Sequence, residues 1–376
     1  MKKKNLIVFG TRPEAIKMAP LVKQFENYAD EFETKICITA QHREMLDQVL
    51  SFFEIKPDYD LNLMKPNQNL YGLTADIILN LKGVLEEFKP DYVYVHGDTT
   101  TTMATSIAAF YSGSSVCHVE AGLRTFNKKS PFPEEMNRSV TGVVSDIHFA
   151  PTETSKENLL KENKPSDSVV VTGNTVIDAL QISVVKVSSK TYENQEITKI
   201  SQILKPNKKL ILVTGHRREN HGEGFLNICE ALKEISQKYD DVQIVYPVHL
   251  NPKVQEPVYK ILGGVPNIEL IAPLSYPSFV WLMNQSYMII TDSGGVQEEA
   301  PSLGKPVLVM RDTTERPEAV EAGTVLLVGT NKELIVSEAS KLLEDKQAYD
   351  KMAKLHNPYG DGRACKRIVE HIRTQK

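Results

Sequence analysis

Residues 288–299, MIITDSGGVQEE, run from a short apolar segment through a Ser-Gly-Gly turn into a segment with helical character. This order predicts a strand, a turn and a helix of an α/β domain. Gly294 and Gly295 leave the backbone N–H groups at the helix start uncovered, so a phosphate can approach them closely. A carboxylate one turn later, at Glu298 or Glu299, suits a ribose hydroxyl. Taken alone, the stretch also fits an ordinary strand-to-helix turn.

Short apolar runs alternate with longer amphipathic stretches along the chain. This alternation is typical of βαβ units, which build a parallel sheet covered by helices on both faces. The predicted strands form two series, residues 6–9, 35–39, 92–95, 116–119 and 169–171, then 210–213, 242–246, 268–271, 288–291, 307–309 and 325–328. The sequence therefore predicts two doubly wound, Rossmann-like α/β domains, 1–173 and 174–357, with a C-terminal helix in 358–376 that joins the first domain.

The composition limits the classes of protein to which the chain can belong. Its 376 residues, 41% of them hydrophobic, suffice for two domains, and a net charge of -4 argues against nucleic acid as the main partner. The N-terminal apolar run ends at Gly10, too early for a signal peptide, and no run is long enough to span a membrane. Because the four cysteines are widely separated, we expect reduced thiols and a soluble cytoplasmic protein.

Charged side chains follow the first predicted strand, where open parallel sheets bind their ligands. Arg12 lies at the start of the next helix, Pro13 suits its first position, and Lys17 lies about one turn further. Two cations beside the positive end of a helix predict an anion site, although solvated surface charge explains them equally well. No GxGxxG follows this strand, so the dinucleotide-binding fingerprint is absent from the sequence.

Two further strand ends carry the sequences HGDTTTT and HVEAGLR. Because side chains alternate along a strand, His96 and Asp98 can share one direction, and so can His118 and Glu120. If the two strands are neighbours, two imidazoles and two carboxylates converge.

This convergence has three interpretations. A metal centre is one of them. A phosphate-binding pocket is favoured over it, because nearby guanidiniums repel a divalent cation, namely those of Arg12, Arg124 and Arg138. In the third, Asp98 only caps the threonine-rich helix that follows it.

The prolines of SPFPEEMNR, residues 130–138, fix the start of another helix. Glu134 and Arg138 are four residues apart and therefore share one face of that helix. A pair at this spacing is usually a modest surface ion pair.

The second domain repeats the pattern of polar residues after a strand. Its first strand leads into TGHRREN, where His216 follows a glycine turn and is predicted to face the carboxylates of the first domain. A lone histidine is more often structural than catalytic. A later strand leads into RDTTERPE, residues 311–318, which brings two guanidiniums towards the Ser-Gly-Gly turn. The second domain is therefore predicted to bind a diphosphate and a ribose, and the first to form a carboxylate-rich pocket.

The ordered set of motifs resembles one known family. The chain carries, in this order, GTRPEAIKMAPL, TAQHREML, HGDTTTT, HVEAGLRT, PFPEEMNR, VTGNTVID, VTGHRREN and TDSGGVQEEAPSLGKPVLVMRDTTERPEAV. The set is similar to that of the bacterial non-hydrolysing UDP-N-acetylglucosamine 2-epimerases and spans nearly the whole chain. Any one motif is weak support, whereas the ordered set is highly specific.

The resemblance implies a GT-B-type pair of Rossmann-like domains with the active site in the cleft between them, and a homodimer. It also implies reversible conversion of UDP-N-acetylglucosamine to UDP-N-acetylmannosamine without a nicotinamide cofactor or a metal. The family's catalytic residues correspond to Asp98, Glu120, Glu134, Arg138 and His216. Its UDP contacts correspond to Arg12, Lys17, Phe279, Ser293, Gly294, Gly295, Glu299 and Arg316.

Family members from Gram-positive bacteria bind a second, activating UDP-N-acetylglucosamine next to the active site. The corresponding positions are Gln41, Arg43, Glu134 and His249. The segment KPNQNLYG, residues 65–72, departs from the wording of the family's regulatory site.

Three other functions are compatible with parts of the sequence. A GT-B glycosyltransferase shares the nucleotide-binding domain but transfers the sugar to an acceptor. A hydrolysing 2-epimerase shares the early chemistry but releases free N-acetylmannosamine and UDP. A non-catalytic UDP-sugar sensor has no use for so many titratable groups at the strand ends.

Overall fold

The structure, a computed structural model, describes residues 2–39, 43–63 and 68–375. The chain divides into two compact units: unit 1 comprises Met1–Ala179 and Tyr359–Lys376, and unit 2 comprises Leu180–Pro358. Each unit is built on one parallel sheet, so the predicted α/β class with two doubly wound sheets is confirmed. Among the described residues, none of the helices is both long enough and apolar enough to cross a membrane.

The strands and helices are numbered in chain order. The strands of unit 1 are β1 (Lys3–Phe9), β2 (Phe32–Ile38), β3 (Tyr59–Asp60), β4 (Tyr92–His96), β5 (Ser115–Val119), β6 (Ile147–Ala150) and β7 (Val169–Val171). Those of unit 2 are β8 (Lys209–Thr214), β9 (Val242–Pro247), β10 (Ile268–Ile271), β11 (Met288–Thr291), β12 (Val307–Val309) and β13 (Val325–Leu327). The helices are α1 (Arg12–Glu26), α2 (Arg43–Phe52), α3 (Leu70–Phe88), α4 (Thr100–Ser112), α5 (Glu134–Val144), α6 (Glu153–Lys161), α7 (Thr175–Val187), α8 (Gln195–Ile203), α9 (Glu223–Lys238), α10 (Pro252–Leu262), α11 (Tyr276–Gln285), α12 (Gly294–Glu299), α13 (Pro317–Glu321), α14 (Lys332–Glu344), α15 (Lys346–Ala353) and α16 (Ala364–Thr374).

The two sheets have the same kind of strand order. Over the described residues it is β3-β2-β1-β4-β5-β6-β7 in unit 1 and β10-β9-β8-β11-β12-β13 in unit 2. The direction of winding therefore reverses between β1 and β4, and between β8 and β11. At such a switch point the loops after neighbouring strands diverge and leave a crevice for ligands.

Strands β3 and β6 were not among the predicted strands. β3 is only two residues long, which leaves no periodicity to recognise. β6 is fully buried but contains His148, which interrupts the apolar pattern. Both are therefore invisible to a search for apolar runs.

The core of each unit lies between its sheet and the covering helices. In unit 1 the buried face of β1 and β4 packs on α3 and α4, as in the cluster of Leu6, Val93, Ile77 and Ala108. In unit 2 the corresponding cluster joins β8 and β9 to α9, α10 and α14. These cores hold the strand ends in place and thereby position the polar residues that follow each strand.

The C-terminal helix α16 is part of unit 1, where it packs on α1. The carboxylate of Asp178 accepts hydrogen bonds from the backbone N–H groups of Ala364 at 3.1 Å and Cys365 at 2.9 Å. These N–H groups belong to the first turn of α16, so Asp178 satisfies donors that have no partner within the helix.

Candidate active site

Unit 1 gathers its carboxylates at the switch point of its sheet. β4 pairs with β1 on one side and with β5 on the other. Asp98 follows β4 and Glu120 follows β5, so the two lie at the carboxyl ends of neighbouring strands. The condition on which the predicted convergence depended is therefore met.

Glu120 is enclosed, with 8% of its side chain exposed. Its Oε2 forms an ion pair with Lys17 Nζ, accepts a hydrogen bond from Asn174 Nδ2 at 2.8 Å, and lies 3.6 Å from His96 Nε2. Its backbone φ of 62° is in the left-handed region, which residues with a side chain seldom adopt. Lys17, a predicted UDP contact, thus pairs here with a predicted catalytic residue.

The surroundings of Glu120 keep its carboxylate charged. Burial alone would raise the pKa of Glu120, but the ammonium of Lys17, and then His96, outweigh burial and hold the pKa well below its ordinary value. Glu120 is therefore an ionised group shielded from water at neutral pH.

Asp98 faces Arg138 of α5. The guanidinium donates to Asp98 Oδ2 from Nε at 3.0 Å and from Nη2 at 2.7 Å, and from Nη1 to Glu135 at 2.9 Å. α4 is capped by Thr99, whose hydroxyl accepts from the N–H of Thr102 at 3.1 Å. The interpretation of Asp98 as a helix cap is therefore wrong.

Glu135 is a site residue that the sequence analysis missed. Besides Arg138, its carboxylate binds the backbone N–H groups of Thr125 at 3.0 Å and Phe126 at 2.8 Å, in the loop before α5. Glu135 thus links the loop to the guanidinium that holds Asp98. Its spacing of three residues from Arg138 was an available signal.

Glu134 begins α5 but does not pair with Arg138 within the described residues, since Arg138 binds Asp98 and Glu135. The expectation of a surface ion pair is therefore wrong. Glu134 Oε2 is buried and has no hydrogen-bond partner among the residues that the structure describes. Because a buried polar atom without a partner is costly, such an atom is typical of a site that completes its contacts with a ligand.

The two histidines of the strand ends have different roles. His96 approaches Glu120, whereas His118 Nε2 lies 2.7 Å from the carbonyl oxygen of Gly97. Burial lowers the pKa of His118 to about 3, so this imidazole is neutral and structural. Within residues 2–39, 43–63 and 68–375 no three His, Cys, Asp or Glu side chains are placed to hold a metal ion.

The start of α1 is satisfied by its own residues. Thr11 is the N-cap, and the carboxylate of Glu14 accepts the N–H groups of Gly10 at 3.0 Å and Thr11 at 2.8 Å. The helix begins at Arg12, so Pro13 is its second residue rather than its first. Glu14 therefore supplies one anion at this helix end, and the contact of Arg12 and Lys17 with a bound anion stays a prediction.

Asp292 organises the switch point of unit 2. Its side chain is fully buried, and Oδ2 accepts the backbone N–H groups of His216 and Arg217, both at 2.8 Å. His216 Nδ1 lies 3.4 Å from the second oxygen, Oδ1. Burial lowers the pKa of His216, and Asp292 only partly opposes this effect. Asp292 thus joins the loops after β8 and β11, a role that the sequence analysis did not assign to it.

The Ser-Gly-Gly turn follows Asp292 and starts α12 as predicted. In the described part of the chain the Ser293 side chain makes no capping hydrogen bond to α12. A Cβ built on Gly294 would lie 3.7 Å from Arg316 Nη2 and 3.9 Å from Arg217 Nη2. Two guanidiniums therefore flank an uncovered stretch of backbone, an arrangement suited to a phosphate.

The other predicted UDP contacts of unit 2 lie on α11, on α12 and before α13. Arg316 forms an ion pair with the buried Glu298. Glu299 lies over Gly295, where an added Cβ would be 3.4 Å from Glu299 Oε1. Phe279 lies on α11 and is half-buried.

Of the predicted regulatory positions, Arg43 and Glu134 belong to unit 1 and His249 belongs to unit 2. Gln41 lies outside the described residues. Arg43 is exposed in unit 1 and pairs with Asp47 at 3.0 Å and with Asp60. His249 belongs to unit 2, where its ring stacks on that of His216 with centroids 5.4 Å apart.

Comparison with known proteins gives a consistent result. A family model described as UDP-N-acetylglucosamine 2-epimerase matches residues 25–373. The curated UDP-N-acetylglucosamine 2-epimerase of Escherichia coli (strain K12) is 60% identical over 373 residues, which cover 99% of this chain and 99% of the relative. That of Campylobacter jejuni is 59% identical over 372 residues, 98% of this chain and 97% of the relative.

The same holds for solved structures. The crystal structure of UDP-GlcNAc 2-epimerase from Neisseria meningitidis bound to UDP-GlcNAc matches with a TM-score of 0.89 and 57% identity, over 99% of this chain and 100% of that chain. The fold is thus GT-B-like, with two Rossmann-like domains. The chain belongs to the UDP-N-acetylglucosamine 2-epimerase family.

Proposed function

We propose that this protein converts UDP-N-acetylglucosamine reversibly to UDP-N-acetylmannosamine by inverting C2, without a nicotinamide cofactor. The observation that carries the proposal is Glu120, an enclosed and ionised carboxylate beside the strand end that bears Asp98. Proton transfer at a sugar carbon needs such a group. Close relatives that bear the epimerase name support the same conclusion.

The C2 proton of the sugar is not adjacent to a carbonyl, so a carboxylate cannot remove it without further activation. If the bond between C1 and the UDP oxygen breaks first, its electron pair leaves with UDP, and C1 becomes electron-poor. The C2 proton then passes to a carboxylate, and its electron pair forms the double bond of a 2-acetamidoglucal. Protonation of C2 on the opposite face and return of the UDP oxygen to C1 complete the inversion.

Unit 1 is proposed to supply the proton-transfer groups. Glu120, Asp98 and Glu134 can each carry a proton, and Arg138 keeps its Asp98 partner oriented. Glu134 has a buried oxygen for which the described residues offer no partner, so a sugar hydroxyl or amide can bind there.

Unit 2 is proposed to hold the leaving group. The turn at Ser293, Gly294 and Gly295, together with Arg316, suits the diphosphate, and the Glu299 carboxylate suits the ribose. His216 then acts beside the diphosphate, Phe279 beside the uracil, and Arg12 and Lys17 of unit 1 contact the same substrate. Stabilising the departing UDP in this way lowers the barrier of the first step.

The experiment that tests the proposal is incubation of the purified protein with UDP-N-acetylglucosamine in heavy water. We expect UDP-N-acetylmannosamine that carries deuterium at C2, detected by NMR and mass spectrometry. Free N-acetylmannosamine as the main product would indicate a hydrolysing epimerase instead. Sugar transferred to an added acceptor would indicate a glycosyltransferase, and an unchanged substrate would indicate a sensor.

We also propose a homodimer formed through α3, α4 and α5 of unit 1. These helices expose large apolar side chains, with exposed fractions of 70% for Leu79, 63% for Phe110, 75% for Tyr111 and 75% for Val143. Such a patch is typical of a surface that a partner covers. Sedimentation of the wild type as a dimer and of Phe110→Glu as a monomer would support this surface, whereas a monomeric wild type would contradict it.

A cytoplasmic location is also proposed, since all four thiols are buried and unpaired.

Regulation by a second substrate molecule is proposed at His249. Because His249 stacks on His216, a ligand bound to one imidazole affects the other. We expect a sigmoidal dependence of the initial rate on substrate concentration that becomes hyperbolic in His249→Ala. A hyperbolic wild type would contradict the proposal.

A further inference from the structure

The two oxygens of the Glu120 carboxylate have different surroundings. Oε2 binds Lys17 and Asn174, and His96 Nε2 lies 3.6 Å from it. Within the described residues no hydrogen bond reaches Oε1, which lies over Gly97, where a Cβ would be 3.6 Å away. Gly97 has a φ of 67°, a conformation that favours glycine, and its missing side chain leaves the space beside Oε1 open.

Asn174 is held so that its amide can face in only one direction. Its Oδ1 accepts the N–H of Val176 at 3.0 Å, so the donor group Nδ2 must be the one that faces Glu120. Its own N–H donates to the carbonyl of Tyr359 at 2.7 Å, and its side chain is buried. The segment that leads into α16 therefore fixes the residue that contacts Glu120.

We propose that Asn174 is a positioning residue for the epimerisation: it holds Glu120 through Oε2 and thereby presents Oε1 to the sugar. The inference rests on the proposed function and goes beyond it by naming a residue that acts through Glu120.

The neutral amide of Asn174 can hold Glu120 in place when the cation Lys17 binds another group. Lys17 is also a predicted UDP contact, so a bound diphosphate competes with Glu120 for its ammonium. The amide of Asn174 is neutral, so a bound phosphate does not draw it away from Glu120. Its hydrogen bond to Glu120 therefore persists throughout the reaction. His96, the other group facing Glu120, lies beyond hydrogen-bonding distance at 3.6 Å.

Two substitutions separate this role from a structural one. Asn174→Asp keeps an acceptor for the N–H of Val176 and replaces the Nδ2 donor by a carboxylate oxygen, which brings a negative charge next to Glu120. Asn174→Ser also keeps an acceptor, is neutral, and is too short to reach Glu120. The matched control is Asn194→Asp at the start of α8, where Asn194 Oδ1 accepts the N–H groups of Glu196 at 2.9 Å and Ile197 at 3.1 Å.

The rates are measured from pH 5 to 9 with UDP-N-acetylglucosamine, together with thermal unfolding and UDP binding. For Asn174→Ser we expect kcat to fall roughly tenfold, as for loss of one net hydrogen bond, with KM changed less than about threefold. For Asn174→Asp we expect a larger fall in kcat, because the new carboxylate repels that of Glu120. The acid limb of the kcat/KM profile should move up towards the measured range, because Glu120 loses a donor to its ionised form and its pKa rises. Asn194→Asp should match the wild type in all three measurements.

Each outcome bears on one conclusion. If the wild type does not epimerise the sugar, the proposed function is wrong, and the inference fails with it. If the wild type is active and a folded Asn174 variant keeps the wild-type kcat and acid limb, the inference alone is overturned. If the variants only lose thermal stability, with unchanged kcat and pH profile, Asn174 is a structural residue.

Discussion

The helices that start at the switch points of the two units differ in how their first N–H groups are satisfied. In unit 1, α1 is closed by Thr11 and Glu14, and α4 is closed by Thr99. In unit 2, α12 begins at Ser293 without a side-chain cap in the described part of the chain. Since an uncapped helix start attracts anions, the phosphate groups of the proposed substrate are expected at the start of α12 in unit 2.

The carboxylates at the two switch points also differ in the groups that they bind. In unit 1, Glu120 and Asp98 face the cations Lys17 and Arg138, and 8% of the Glu120 side chain and 26% of the Asp98 side chain are exposed. In unit 2, Asp292 is fully buried and binds backbone N–H groups. The acids of unit 1 thus pair with side-chain cations, whereas Asp292 of unit 2 holds a loop in place through the backbone.

The largest expected effect comes from removing charge in unit 1. Glu120→Gln, Glu134→Gln and Asp98→Asn should each lower kcat by about a hundredfold to ten-thousandfold, the usual loss for a general acid or base. UDP affinity, measured by calorimetry, should stay near that of the wild type, because the diphosphate is assigned to unit 2. Glu31→Gln, on the surface of unit 1, is the control. Near-normal turnover in all three variants would remove these carboxylates from the mechanism.

A methyl group in the turn of unit 2 should weaken UDP binding, which the carboxylate variants of unit 1 leave unchanged. Gly294→Ala places a Cβ at ordinary contact distance from Arg316, so the fold tolerates it, but the methyl occupies the approach of a phosphate. We expect UDP binding to weaken roughly tenfold to a hundredfold, about 1.4 to 2.7 kcal/mol, with little change in thermal stability. Gly83→Ala on α3 is the matched control, since a Cβ there meets no described atom within 4 Å. Equal UDP affinity of both variants would argue against a phosphate at the turn.

Acid should destabilise unit 1 before unit 2. Burial lowers the pKa of His118 to about 3 and that of His148 to about 4, from an ordinary value of 6.5. Both stay neutral in the folded state while the unfolded chain takes up protons, so their stabilising contribution is complete above pH 6.5 and is lost as the pH falls towards these values. At pH 5 the loss is up to about 2 kcal/mol for each histidine.

Hydrogen exchange at pH 7 and pH 5, corrected for the intrinsic rate, checks this prediction. Peptides from β5 and β6 should lose protection, because His118 and His148 are paired on these strands. Peptides from β8 and β9 should change less. An equal loss in both units would mean that the buried histidines do not govern acid sensitivity.

The smallest effect concerns the helix caps themselves. Thr99→Ala removes the cap of α4 and should lower the free energy of unfolding by about 1 kcal/mol, measured with urea. Ser293→Ala removes no capping bond and should leave the free energy of unfolding unchanged. If both variants lose the same stability, the contrast between the two helix starts is not real.

Much of this arrangement could be predicted from the sequence. The apolar runs identified the two parallel sheets, and the rule that ligands bind after the strands singled out Asp98, Glu120 and the turn at Ser293. Both depend on local pattern, since a buried strand and a glycine-rich turn are encoded by adjacent residues.

Partner choice could not be predicted in the same way. Whether Arg138 binds Glu134, Glu135 or Asp98 depends on how α5 packs on α4 and β5, and the spacing along the helix does not decide between Glu134 and Glu135. Asn174 and Glu120 are separated by 54 positions and meet only because of the sheet topology. The sequence pattern gave Glu14 no role of its own. In the fold its carboxylate accepts the N–H groups of Gly10 and Thr11 at the start of α1.

The return of the chain to unit 1 after unit 2 has a consequence for biosynthesis. Lys3 Nζ binds the carbonyl oxygen of Ile372 at 3.1 Å, and the N–H of Asn174 donates to the carbonyl oxygen of Tyr359. A ribosome makes all of unit 2 before these partners emerge, so unit 2 can fold on the nascent chain while unit 1 is still incomplete. Unit 1 is therefore completed only after the segment that begins at Tyr359 has been made.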